Sequence, residues 1–355
     1  MMATLKSCRE CGVPRRFASE HAWLDNGTIV QSKNPDHRMI FIELENINST
    51  FRGVEEIIGV PIDRIIVEAK RRATFDFVDH MLPGVVKAVV RLVGVKPVIR
   101  NVTALGRVMG YGKLELARMR RTHSEGDFVT IKASELYSLP LFSGDLAGSF
   151  NAIDRREVGI THEEVAPGEY EITAHLTPHP LELQERLKTK PYANKKGDVG
   201  LERCPGCGLP RALARYQWLP ERGVILHRES GRRMVALGPA TLDAIISELE
   251  KELGDTIPRV VVEAQRRFLR SGFYGVDEAR SREDLRQALA LRGLGNLVGL
   301  EWGEGSLRFH IENPCLNLVL VGLVQGIFEL VTGREGRVEW EEREDGDLMV
   351  EVVTA

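Results

Sequence analysis

Two short stretches of this chain carry thiols at metal-binding spacing: Cys8-Arg-Glu-Cys11-Gly-Val-Pro14 and Cys204-Pro-Gly-Cys207-Gly-Leu-Pro210. Two cysteines separated by two residues and followed by glycine form a knuckle, a backbone bend that points both sulfurs at one ion. One pair is half of a tetrahedral site, and neither stretch is followed by a second pair of its own. Histidine does not complete the set, because His21 and His37 align with Tyr216 and Arg232 while His227 has no counterpart. The spacing therefore predicts one structural zinc held by Cys8, Cys11, Cys204 and Cys207, closed where the two stretches meet across a pseudo-two-fold axis. Two plainer readings stand beside it, a pair of reduced turns or a redox dithiol. The shared Gly-x-Pro flanks favour zinc, and a redox dithiol prefers a helix start after the motif. Here Pro14 and Pro210 lead instead into a basic stretch and a hairpin.

No other residues make a catalytic set. Gly110-Tyr-Gly112 and Gly293-Leu-Gly295 lack the third glycine and the preceding parallel strand of a dinucleotide fingerprint. Nothing resembles a P-loop or a nucleophile elbow. His123, His162 and His310 have no partners in the matching stretches. Cys315 follows Pro314 at a predicted helix start, where it reads as a buried inert thiol, the alternative being a stabilised thiolate.

The elements that must position the thiols come in two copies. Trp23, Gly27, Ile29, Arg38-Met39, Gly59, Arg64 and Glu68-Ala-x-Arg71-Arg72 recur as Trp218, Gly223, Ile225, Arg233-Met234, Gly254, Arg259 and Glu263-Ala-x-Arg266-Arg267, at an offset of 195 or 196 positions. Each knuckle is followed by a small hairpin, turning at Asn26-Gly27 and around Gly223. A helix then ends at Gly59 or Gly254, and a second helix begins near Pro61 or Pro258. On that second helix Glu68 with Arg71 and Arg72, and Glu263 with Arg266 and Arg267, read as a solvated salt-bridged face. The alternative is that these arginines hold an anion or brace an interface.

The Gly-x-Gly motif opens two alternating strands, Leu114 to Arg120 with Phe128 to Ala133, and Leu297 to Trp302 with Leu307 to Ile311. An apolar helix follows, about Pro140 to Ile153 and Leu316 to Thr332, then a closing hairpin in each copy. Strand pair, helix and strand pair imply an α+β domain, an antiparallel sheet covered on one face by helices. The helix glycines Gly144, Gly148, Gly322 and Gly326 let its backbone approach the sheet. Core packing is the first reading; a cleft beside Leu141, Phe142, Phe150, Leu320, Leu323 and Phe328, open to a ligand, is the second.

At 355 residues the chain has room for two domains, expected at 1–178 and 201–355. The segment 179–200, rich in lysine, proline and polar residues, reads as a surface-exposed and partly ordered linker. A net charge of −3 and a pI of about 6.4 provide no overall field for nucleic acid or anionic lipid. Basic residues behind the knuckles, Arg15, Arg16, Arg211 and Arg215, are the local exception, but knuckles engaged with each other argue against that partner. The N-terminus lacks the apolar stretch of a signal peptide. The longest apolar run, Leu316 to Val331, is broken by Asn317, Gln325 and Glu329 and is too short to span a bilayer. Five cysteines make no disulfide framework, so a cytoplasmic protein is expected.

The end of each copy resembles the 4-vinyl reductase-like domain, also called the hydrocarbon-binding domain. Its relatives by fold include haem nitric-oxide-binding sensors and transport-particle subunits of membrane traffic. The matching residues are Leu141-Phe-Ser-Gly144-Asp-Leu-Ala-Gly148-Ser-Phe150 with Glu163 to Ile172, and Val321-Gly322-Leu-Val-Gln-Gly326-Ile-Phe328 with Glu341 to Val350. Family members often carry zinc-binding cysteines in the final hairpin. This chain has Val165, Glu169 and Glu171, or Arg343, Asp347 and Met349, in those stretches, which moves the metal to the N-terminal knuckles. The resemblance implies a domain that takes a small apolar or aromatic molecule as sensor, carrier or assembly aid. The rival expectations are an interaction scaffold with filled clefts and an enzyme acting on an aromatic or tetrapyrrole substrate.

Overall fold

Glycine-rich turns and alternating apolar residues set out two series of elements in the same order. The computed structural model describes residues 6–81, 94–122, 124–177, 191–192, 194–273 and 281–355. His123 and much of the expected linker lie outside the described residues. A short helix α1 (Arg15–Glu20) leads into strands β1 (His21–Trp23), β2 (Ile29–Gln31) and β3 (Asn34–Glu43). Helices α2 (Leu44–Ile58), α3 (Asp63–Met81) and α4 (Lys96–Val108) follow, then β4 (Lys113–Arg120), β5 (Phe128–Ser134), α5 (Leu139–Asp154), β6 (Val158–Ala166) and β7 (Glu169–Leu176). The second series is β8 (Tyr216–Leu219), β9 (Val224–His227), β10 (Arg233–Leu237), α6 (Ala240–Leu253), α7 (Ile257–Phe268) and α8 (Arg282–Arg292). It ends with β11 (Asn296–Gly303), β12 (Ser306–Glu312), α9 (Asn317–Thr332), β13 (Gly336–Glu342) and β14 (Leu348–Thr354).

The fold is α+β. Two four-stranded antiparallel sheets have the orders β4-β5-β7-β6 and β11-β12-β14-β13. Strand side chains alternate between faces, so Val129, Ile131, Ala133 and Ile172 are buried on one side of the first sheet. On its other side the ion pairs Arg118–Glu171 at 2.6 Å and Lys132–Glu169 at 2.8 Å face solvent. Helix α5 covers the apolar side and α3 packs on α5; α9 and α7 do the same over the second sheet.

Packing does not follow the order of the sequence copies. One compact unit combines Ile62–Thr189 with Tyr216–Val235, and the other combines Ser7–Pro61, Lys190–Arg215 and Ala236–Ala355. The helix-and-sheet body from each copy is thus completed by a hairpin from the other copy, and the residues that recur in register make the join. In the first unit the Gly112 N–H donates to the Gly223 carbonyl at 2.9 Å, and the Trp218 indole N–H donates to the Val108 carbonyl at 3.1 Å. Arg233 donates to the carbonyls of Gly110, at 3.2 Å, and Glu135. The second unit repeats this with Gly295 on Gly27 at 3.2 Å, Trp23 on Leu291 at 2.9 Å, and Arg38 on Gly293, Asn313 and Pro314 at 2.9, 2.5 and 3.2 Å. A Cβ on Gly223 would lie 1.9 Å from the Gly112 carbonyl oxygen, and one on Gly27 would lie 2.3 Å from that of Gly295. Both turns also hold positive φ, +67° and +78°, which glycine adopts without a Cβ penalty.

Two expectations change. The helix glycines meet another helix rather than the sheet: a Cβ at Gly148 would lie 2.3 Å from the Arg71 carbonyl oxygen, and one at Gly322 would lie 2.5 Å from that of Val262. The Glu-Arg-Arg sets divide. Arg72 and Arg267 pair with Asp76 and Glu263 on the open face, while Arg71 and Arg266 turn inward as braces. Arg71 pairs with Glu68 at 2.9 Å and donates to the Val158 carbonyl; Arg266 pairs with Glu263 and with the buried Glu329 at 3.0 Å. Most described residues of the linker are exposed, while Val199 is fully buried and its N–H donates to the Asp25 carbonyl at 2.6 Å. Lys195 reaches Asp345 and Asp347, both at 2.7 Å.

The glycine join gives a paired test. Gly231→Ala, at φ +67° with nothing within 4 Å of a Cβ, should cost only the left-handed strain of about 1–2 kcal/mol. Gly223→Ala, at the same φ but against Gly112, should cost at least roughly 3 kcal/mol. Thermal and urea unfolding of the two variants checks the difference.

Candidate metal centre

Both knuckles belong to the second compact unit, so the centre lies inside one unit while drawing sulfurs from both sequence copies. Their local folds match. The Cys8 N–H donates to the Val13 carbonyl and the Gly12 N–H to the Cys8 carbonyl, at 2.8 and 3.0 Å. The Cys204 N–H donates to the Leu209 carbonyl and the Gly208 N–H to the Cys204 carbonyl, both at 2.8 Å. Gly12 and Gly208 both hold φ at +77° with open space where a Cβ would stand, so the knuckle needs glycine there for backbone conformation. Gly206 is needed for room, since a Cβ on it would lie 2.8 Å from the Cys8 sulfur. Single strand-like bridges, Ser7 to Pro14 and Arg203 to Pro210, close the base of each knuckle.

Behind the first knuckle, Phe17 on α1 is fully buried and stacks on His21 with ring centroids 4.4 Å apart, near Trp23 and Phe41. Leu213, in a 3₁₀ turn over Arg211–Arg215, is the buried anchor behind the second. His21 Nδ1–H donates to the Phe17 carbonyl at 2.9 Å, and burial holds its pKa below the usual imidazole value. It serves the core here, as the unmatched sequence position suggests.

The four sulfurs all lie within 4.8 Å of one another, and among the described residues they form the one cluster of potential metal ligands. Cys8 Sγ is 3.8 Å from Cys204 Sγ and Cys11 Sγ is 3.5 Å from Cys207 Sγ. A tetrahedron of thiolates with metal–sulfur bonds of ~2.3 Å has edges of about 3.8 Å, so the spacing fits a thiophilic divalent ion. Cys8, Cys11 and Cys204 are buried and Cys207 is half-buried. The Cys11 backbone N–H aimed at the Cys8 sulfur brings that thiol down to about 7, against the opposing effect of burial. Burial pushes Cys11 and Cys207 up. No protein-family model, curated protein or solved structure matches this chain.

The remaining sequence candidates fall elsewhere. Leu141, Phe142, Phe150, Leu320 and Phe328 are buried core residues, Leu323 is half-buried, and Phe328 stacks on Trp302 at 6.3 Å. In the second unit an apolar cavity of about 20 Å³ lies among Ile47, Phe51, Leu242, Ile246, Val261 and Val319. None of these is among the cleft residues that the sequence suggests, because α2 comes from the other copy and reaches α7 only through long-range packing. Cys315 is buried beside the Gly293 carbonyl, and burial raises its thiol to about 12. His310 bonds Asp347 at 2.9 Å next to Lys195, in the tie that holds the linker. No described helix is long and apolar enough to cross a membrane.

Metal uptake must displace the protons that burial keeps on Cys11 and Cys207. Proton competition grows as pH falls, so affinity should be lower at about pH 6 than at about pH 8, by at least roughly tenfold. Competition against a chromophoric chelator at both pH values checks this.

Proposed function

We propose that the four-thiolate centre is a structural zinc site that fastens the N-terminal segment to the end of the linker within the second unit. The observation that carries this reading is the gathering of two matching knuckles with all four sulfurs inside 4.8 Å. All four tetrahedral positions are taken by protein sulfur, which leaves no open position for substrate and separates a structural from a catalytic ion. Zinc and iron both accept four thiolates; zinc suits a fully ligated centre whose task is to hold two segments together.

Metal analysis of the native protein should find one zinc per chain, and chelation should lower its melting temperature. Cys8→Ser with Cys204→Ser should cost scarcely more than either alone, because loss of one ligand already breaks a shared site. Two ions per chain with additive losses would overturn the shared centre, and iron would overturn zinc.

A second reading concerns the ligand that the family resemblance implies. The cavity between α2, α6 and α7 has an apolar lining, and at about 20 Å³ it is water-sized, against ~300 Å³ for ordinary ligand sites, so a guest would have to part these helices to enter. Native mass spectrometry should then retrieve an apolar molecule that Ile246→Phe, which fills the cavity, displaces. A bare protein, unchanged by that substitution, would favour a scaffold.

A further inference from the structure

The sulfurs of the centre approach each other across the knuckles. Cys11 Sγ lies 3.5 Å from Cys207 Sγ, and Cys8 Sγ lies 3.8 Å from Cys204 Sγ. Exposure is unequal as well: Cys8, Cys11 and Cys204 show at most 4% of their surface, whereas Cys207 is half-buried. An oxidant arriving from water meets Cys207 first, and a sulfur of the opposite knuckle stands ready beside it. The fifth thiol, Cys315, is buried against the Gly293 carbonyl and takes no part.

We propose that the centre is a peroxide-sensitive staple, in which oxidation expels the zinc and replaces it with a disulfide between Cys11 and Cys207. This rests on the structural-zinc reading. The Cys207 thiolate attacks one oxygen of hydrogen peroxide and the O–O bond breaks. Cys207 becomes a sulfenic acid, and the departing hydroxide takes up a proton to form water. The Cys11 thiolate then attacks the sulfenic sulfur, the S–S bond forms, the S–O bond breaks, and the second hydroxide is protonated to water. Two thiolates, one peroxide and two protons become one disulfide and two waters, with the two sulfurs supplying the two electrons. The ion, left with two ligands, departs as a divalent cation while Cys8 and Cys204 are reprotonated from solvent. Because the new bond joins residues 196 positions apart, it keeps the same two segments together that the metal held. A disulfide inside either knuckle would leave them unlinked.

Stoichiometric peroxide on the zinc-loaded full chain should release one zinc per disulfide formed, followed with a chromophoric chelator and a thiol count. Trypsin separates Cys8 from Cys11 at Arg9, so a non-reducing digest should give Glu10–Arg15 joined to Cys204–Arg211, with fragmentation placing the bond on Cys207. Cys315→Ser should leave release and cross-link unchanged, and Cys207→Ser should abolish the Cys11 cross-link. A disulfide within a knuckle, or oxidation without zinc release, overturns the staple. The metal content before oxidation reports on the zinc reading by itself: metal-free protein overturns that reading, while zinc-loaded protein with a knuckle-internal disulfide overturns only the switch.

Discussion

Backbone-to-backbone contact between glycines is the constraint on which this architecture depends. At Gly223 on Gly112, and at Gly27 on Gly295, a hairpin turn meets the start of a sheet strand with no room for a Cβ on the turn. Each contact is flanked by an indole N–H and a guanidinium that donate to main-chain carbonyls of the same neighbouring segment. Such carbonyls would otherwise be buried acceptors without partners, which costs about 1–3 kcal/mol each. The two hairpins are therefore keyed to their bodies by polar geometry as much as by apolar burial, and the key is the same in both units.

The gathering of the four thiols follows from that exchange. The first hairpin lies in the unit built around the second body, which brings the first knuckle into the same unit as the second. The matching bridges and N–H to carbonyl bonds then present all four sulfurs to one point. The knuckles are not interchangeable, however. Gly206 leaves room for the Cys8 sulfur, whereas the equivalent position in the first knuckle is Glu10.

Much of this was legible in the sequence. The Cys-x-x-Cys-Gly spacing named the four thiols, and alternation with helical periodicity named the strand pairs and the apolar helices α5 and α9. What eluded it is long-range. Arg38 and Arg233 were visible as recurring residues, but nothing local shows that their guanidinium groups reach carbonyls more than a hundred positions distant. Gly144 and Gly148 announced a close approach, expected to be to the sheet, and the partner is α3. Arg71 and Arg266 sit three residues from a glutamate like any solvated pair, and only packing turned them inward. The lysine and proline content of the linker describes an average and does not mark Val199 and Lys195, which are individually anchored.

The exchange of hairpins also bears on synthesis. The ribosome delivers Ser7–Pro61 first and the body it completes, Ala236–Ala355, last. At translation rates of ~5–20 residues per second, the early strands and α2 wait on the order of tens of seconds before their surfaces exist to be covered. The first pair of thiols emerges just as early and stays half a ligand set until residue 207 has left the tunnel. Apolar strand edges and reactive sulfur are thus both unprotected on the nascent chain, so production of this protein should lean on chaperones that hold unfinished chains more than its finished stability would suggest.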